Sequence, residues 1–308
     1  MNIRTKSLLA VMTGNTIFGF SFLFSKTALQ YVRPEIMLAF RFFTAFLVLN
    51  LVVLAGKTLK NKKGEPLIAF SLKGKPLKDV LILALFQPVI YFFAETYGID
   101  YTSSAFAGTL IAVVPVAGVM VDMLFMHTKV SGKQVLCAVG SVIGVVITTL
   151  GAGEMKSSLI GVIMLLIAVV AGSVFIGYSK RSSAYYNPLE RTYVMFAAGC
   201  AAYLVLGLVK SGGDIQTYFM PALTSISFWG CMGYLAVVSS VIGFLLINFG
   251  STYISVSEVS IFANFTTVIS IIAGVVILHE RFTVSQIIGA VIILVSVYIS
   301  SVSSAKQG

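Results

Sequence analysis

Residues 253–302, YISVSEVSIFANFTTVISIIAGVVILHERFTVSQIIGAVIILVSVYISSV, lie without a gap over residues 101–150, YTSSAFAGTLIAVVPVAGVMVDMLFMHTKVSGKQVLCAVGSVIGVVITTL, at a constant offset of 152. Tyr101 meets Tyr253, Ser103 meets Ser255, His127 meets His279, Lys129 meets Arg281, Gln134 meets Gln286 and Ala138 meets Ala290. Looser matches extend the pattern toward the N-terminus, with Pro34 over Pro188 and the pair Ser25-Lys26 over Ser179-Lys180, both at offset 154. Matches in this order mark a duplicated structural unit.

The unit is helical and membrane-embedded. Hydrophobic residues make up 58% of the 308 residues and charged ones 10%, and the mean hydropathy is +0.99. Soluble chains are nearly half apolar and a quarter charged, so a soluble core cannot hide this much apolar surface. Lipid admits only helices and closed barrels, because backbone polar groups have no water to bond. Barrel strands alternate apolar and polar residues. Here the apolar runs are continuous, as in Val135 to Leu150 and Val259 to Leu278, which predicts helices. Spans are predicted near 7–28, 35–55, 79–98, 103–126, 132–150, 158–179, 189–210, 226–250, 254–278 and 283–303. The expected fold is an all-α membrane protein with ten transmembrane helices in two five-helix repeats, residues 1–151 and 157–304. An odd number of spans per repeat inserts the second copy in the opposite sense, so the repeats are inverted.

The net charge of +10 reads as orientation and not as a nucleic-acid surface. With the N-terminus inside, 15 of the basic residues fall on inner positions, among them Arg4, Lys6, Lys180, Arg181, Arg191 and the seven lysines of a cytoplasmic loop from Gly56 to Lys78. Only Arg33, Lys156, Lys210 and Arg281 fall outside. Both termini are therefore expected in the cytoplasm of a plasma or inner cell membrane. The run Leu8 to Phe24 after Arg4 and Lys6 reads as the first span, since no small-residue cleavage site follows it. Cys137, Cys200 and Cys231 lack C-x-x-C spacing and read as packing residues. His127 and His279 fall at opposite ends of their helices and cannot share an ion; no metal or cofactor is expected.

The chain resembles the drug/metabolite transporter superfamily in its ten-span form with two EamA-type repeats. The residues that carry the resemblance are Phe18-Gly19, where many relatives have Trp-Gly, Pro34 through Arg41 and Phe42, Pro115, and Leu278 through Thr283 with Gln286 and Gly289. Two departures stand out, Thr128 opposite Glu280 and Thr267 opposite Pro115. The resemblance implies a central cavity lined by the first, third, fourth, sixth, eighth and ninth helices, with the fifth and tenth peripheral. It also implies transport of amino acids, nucleotide derivatives, vitamins or other metabolites, often outward.

Charged groups in the bilayer interior cost roughly 2.5–3.5 kcal/mol on insertion scales and need a partner or a wet cavity. In the third span Gln87, Tyr91 and Glu95 share one face beside a kink at Pro88. Glu95 either faces the cavity or forms a structural ion pair with Arg41, and the two roles are compatible. In the first span Asn15, Gly19, Phe22 and Lys26 share a face flanked by Phe18. The eighth span offers Ser240, Phe244 and Asn248, and the ninth Ser257, Ser260, Asn264 and Thr267, whose plainer role is interhelical hydrogen bonding. Glu258 and Asp122 read as charges near helix ends. Asn15, Phe18, Phe22, Gln87, Tyr91, Glu95, Ser240, Phe244, Asn248 and Asn264 are the candidate substrate-binding residues, with no catalytic residue expected. Gly140-x-x-x-Gly144 permits close helix packing or a dimer contact, which leaves monomer and homodimer both open.

The expected partners are a small-molecule substrate and the lipid bilayer, with no nucleic acid. The inverted repeat favours an alternating-access carrier for a small metabolite, amino acids foremost, over a membrane-embedded enzyme acting on a lipid-linked or small polar substrate. An enzyme needs a reactive cluster. The sequence has no G-x-S-x-G and no H-E-x-x-H, since His279-Glu280 lacks the second histidine. A signalling scaffold would need a larger soluble portion than the lysine-rich loop supplies.

Overall fold

A computed structural model describes residues 2–59, 68–118, 132–150, 159–254 and 256–305. Asp122, His127, Thr128, Lys129, Lys156, Ser255 and part of the lysine-rich loop lie outside the described residues, as do the side chains of Gln134, Ser257, Glu258 and Ser260. Among the described residues all regular structure is helical: α1 Ile3–Ala28, α2 Pro34–Thr58, α3 Leu77–Tyr101, α4 Ser104–Gly118, α5 Gly132–Leu150, α6 Leu159–Ser182, α7 Pro188–Ser211, a short α8 Ile215–Thr224, α9 Ile226–Tyr253, α10 Val256–Val276 and α11 Val284–Ala305. The expected eighth, ninth and tenth spans are thus α9, α10 and α11. Six helices, α1, α2, α3, α6, α7 and α9, are long and apolar enough to cross a membrane. The apolar stretches Ser104–Gly118, Val135–Leu150, Phe262–Val276 and Val284–Ile299 are shorter.

Polar residues set the helix starts. Asn2 caps α1 through Thr5 N, Ser103 caps α4 through Phe106 N, and Asn187 with Glu190 forms a reciprocal capping box at α7, where Pro188 needs no N–H partner. The dominant pairings each join one repeat to the other: α1 with α9 and α10, α3 with α6, α2 with α7, α4 with α10, and α5 with α11. The core is therefore the seam between the repeats. Gly140 and Gly144 of α5 face α11, and a Cβ on Gly144 would meet Gly289 O at 2.9 Å and Ile293 Cγ1 at 2.7 Å. That small-residue face is occupied within the chain, so it is not free for a dimer.

Two helices depart from regular α geometry at related places. In α3 the turns widen over Leu85–Ile90, and Gln87 has φ −143°, ψ 114° ahead of Pro88. The Tyr203 hydroxyl donates to Pro88 O at 3.0 Å and Val89 O at 2.6 Å, satisfying carbonyls that the break frees. In α9 the wide turns run from Gly233 to Gly243 without a proline. The Pro115/Thr267 difference also has a visible consequence. Helix α4 is interrupted by a turn at Ala112–Val113 just before Pro115, whereas α10 runs through Thr267 without interruption.

Candidate functional site

A cavity of about 110 Å³ lies on the seam between the repeats. Its wall takes residues from α1 (Asn15, Phe18, Phe22), α3 (Gln87, Tyr91, Glu95), α4 (Ile111, Val114), α6 (Gly172, Phe175), α9 (Phe244, Ile247) and α10 (Thr266, Thr267). These are the six helices that the resemblance implies. The fifth and tenth spans, α5 and α11, pack chiefly on each other and contribute nothing to the wall. Phe244 is the aromatic hub, with Phe18 at 5.0 Å, Phe92 at 5.9 Å and Phe175 at 6.0 Å between ring centroids. Glycine at 172 leaves room for Tyr91, whose ring would stand 3.2 Å from a Cβ there.

Most polar atoms on this wall are already bonded within the protein. Asn15 Nδ2 donates to Val11 O at 2.8 Å, and Asn15 Oδ1 accepts from Thr266 Oγ1 at 3.1 Å. Ser21 Oγ donates to Phe18 O at 2.6 Å and Thr267 Oγ1 to Gly108 O at 3.0 Å. Two groups differ. Glu95 accepts from the Tyr91 hydroxyl through Oε1 at 2.9 Å, and its Oε2 has no partner among the described residues. The Gln87 amide likewise has none. Both residues are buried, 4% and 7% exposed, and among the described residues no lysine, arginine or histidine lines the cavity.

Seven of the ten candidate residues, Asn15, Phe18, Phe22, Gln87, Tyr91, Glu95 and Phe244, therefore meet at one cavity. Gln87 reaches it despite an extended backbone, so the regular helical spacing that singled it out is not what puts it there. Ser240, Asn248 and Asn264 do not line the cavity. Ser240 Oγ accepts from Arg41 Nε at 3.0 Å. Asn248 is enclosed in a polar cluster: its Nδ2 donates to Thr192 Oγ1 at 2.9 Å, its Oδ1 accepts from Ser179 Oγ at 3.0 Å, and its backbone carbonyl accepts from Arg191 Nη2 at 2.6 Å. Asn264 lies about 100° round α10 from the cavity-lining Ala263, and its Oδ1 is buried without a partner among the described residues.

The expected Arg41–Glu95 ion pair is not formed as a direct contact. Arg41 is wholly buried and spends its donors on Ser240 and, at 3.2 Å, Ser239, with its guanidinium 4.3 Å from the Phe92 ring centroid. Its Nη1 has no partner among the described residues, and the Phe92 ring beside it is part of the cavity wall. Gly19, expected to admit a helix or a ligand, admits a helix: a Cβ would meet Ile269 at 2.5 Å.

Other polar residues hold the helix ends. Lys26 Nζ donates to the carbonyls of Ile99, Asp100 and Thr102 at 2.8, 3.2 and 2.7 Å, and Lys180 Nζ to those of Ser251, Thr252 and Ile254, each at 3.2 Å. The acceptors are related by 152 and the lysines by 154, so the matched Ser-Lys pairs are one helix-end clamp used twice. Glu280 accepts from Ser104 N, Ser104 Oγ and Ala105 N at 2.8 to 2.9 Å and caps α4. His279 takes the left-handed backbone position, φ 53°, that ends α10. Arg191 is the residue whose bonding the sequence did not show. It counts there as an inner-face charge, yet it is wholly buried and bonded to Ser179 O at 2.6 Å and Thr252 Oγ1 at 2.7 Å. Its position three residues past Pro188, inside the predicted start of a span, was the available signal.

The model of the EamA-like transporter family matches residues 5–150 and 159–302, one copy for each repeat. The chain is 29% identical to the uncharacterized transporter YcxC of Bacillus subtilis (strain 168), over 99% of this chain and 95% of that one. It is 21% identical to an uncharacterized transporter of Archaeoglobus fulgidus, over 92% and 94%. A solved crystal structure superposes with a TM-score of 0.64 over 98% of this chain and 99% of that chain at 16% identity, a likeness of fold. With both copies of the family's repeat matched across nearly its whole length and its helices apolar, this multi-pass membrane protein belongs to the EamA-like transporter family.

Proposed function

We propose that the protein is a carrier of ten spans in two inverted repeats, with both termini in the cytoplasm of the cell membrane, that moves a small amino acid or related compound outward by alternating access. One observation carries this reading: the cavity is walled by both repeats at once, so an exchange of shape between the repeats would open it to one side and then the other. At about 110 Å³ it is smaller than the roughly 300–1,000 Å³ of drug-sized sites, which suits a small solute or a closed stage of the cycle. An enzymatic reading lacks support, because among the described residues no cluster of three metal-ligating side chains occurs and Glu95 is the single carboxylate lining the cavity. Reconstituted vesicles loaded with a panel of amino acids, nucleosides and vitamins test it. Saturable, counterflow-competent flux of at least one compound is expected, and absence of flux across the panel overturns the reading.

A further inference from the structure

We infer that the cavity recognises its solute by an ammonium group seated on Glu95, so that amines and amino acids are taken and organic anions are refused. The inference rests on the carrier reading and adds the chemistry by which the cavity selects. Four of the polar residues on the wall, Asn15, Ser21, Thr266 and Thr267, are bonded to backbone or to each other, and they have little left to offer a ligand. What remains unfilled is one carboxylate oxygen, Glu95 Oε2, and the Gln87 amide about two helical turns along the same wall. A carboxylate oxygen that opens into an enclosed cavity with no protein donor is best filled by a cationic donor. The surround is aromatic: Phe18, Phe22, Phe92, Phe175, Phe244 and Tyr91 present rings, whose faces favour a cation and whose area holds an apolar body.

An anion meets the reverse. Among the described residues no basic side chain lines the cavity, and the Arg41 guanidinium, which does not line it, gives its Nε and Nη2 to Ser240 and Ser239. A carboxylate entering alone would face the Glu95 charge with no donor of its own. An amino acid escapes this penalty because its ammonium engages first.

Three compounds matched in ring and chain separate the cases: phenethylamine, phenylalanine and 3-phenylpropionate, each titrated onto the purified full-length protein by calorimetry. The two with an ammonium are expected to bind and the acid not to bind. Glu95→Gln keeps the shape and an acceptor for Tyr91, and should weaken phenethylamine binding on the order of tenfold or more with an unchanged melting temperature. If that variant does not fold, the ranking of the three compounds on the wild type decides alone. Binding of the acid as tight as that of the amine, no binding of either ammonium compound, or a Glu95→Gln protein that binds phenethylamine normally each overturns the inference. Amine binding without flux in vesicles would remove the carrier reading and leave this one. Flux of an anionic metabolite without amine binding would do the opposite.

Discussion

Helices α3 and α9 occupy equivalent places in the two repeats, and each presents a polar stripe at helical spacing, Gln87-Tyr91-Glu95 in one and Ser240-Phe244-Asn248 in the other. Their fates differ. The α3 stripe lines the cavity in full and keeps a carboxylate oxygen and an amide without partners. Of the α9 stripe only Phe244 lines the cavity, while Ser240 accepts from the buried Arg41 and the Asn248 side chain is held by Thr192 and Ser179, with the buried Arg191 on its backbone carbonyl. A buried guanidinium needs several acceptors at once, and in lipid the protein alone supplies them. The polar clusters packed around these two arginines therefore decide which polar residues are left for a solute. Duplication produced two similar stripes, and the polar side chains packed beside them made one structural and left the other open.

The sharpest way to break this comparison is Arg191→Met. It removes the donors to Ser179 O, Asn248 O and Thr252 Oγ1 and leaves those acceptors buried. A loss of about 3 kcal/mol or more is expected, read as a large fall in melting temperature or loss of monodisperse protein in detergent. A variant that melts like the wild type would mean the cluster does not hold α9. Asn248→Ala comes next, at about 1–3 kcal/mol, because Thr192 and Ser179 lose a shared partner at a site sealed from water. Were Asn248 instead a substrate ligand, flux would fall and stability would not. Ser240→Ala should cost about 0.5–1.5 kcal/mol, since Arg41 retains Ser239 and the Phe92 ring. Smallest in stability is Gln87→Leu, within about 0.5 kcal/mol, because its amide has no partner to lose. Its expected effect is on which compounds are carried, and a stability loss as large as that of Asn248→Ala would erase the contrast between the two stripes.

The helical spans, the duplication and the face of α1 that meets the cavity were legible because periodicity and apolar length are properties of the chain itself. Asn15, Phe18 and Phe22 were readable on that basis, and so were Tyr91 and Glu95. The bonding of Ser240, Asn248 and Arg41 was not. Whether a polar residue inside a bundle bonds a neighbour or a solute depends on what stands opposite, and Arg41 gives its Nε and Nη2 to Ser240 and Ser239. Arg191 looked like a charge at the inner face because a helix-start position is compatible with both water and burial.

The sequence by itself determined that this protein is a helical membrane chain duplicated in register, since lipid forbids other backbones for such apolar runs and the offset of 152 carries matched residues and the acceptors of both lysine clamps alike. Only the tertiary structure decided which buried polar groups are spent and which are free. That depends on the partners the fold brings together: Arg41 crosses the seam to Ser239 and Ser240, Thr192 and Ser179 hold the Asn248 side chain, and Glu95 Oε2 and the Gln87 amide keep no partner among the described residues.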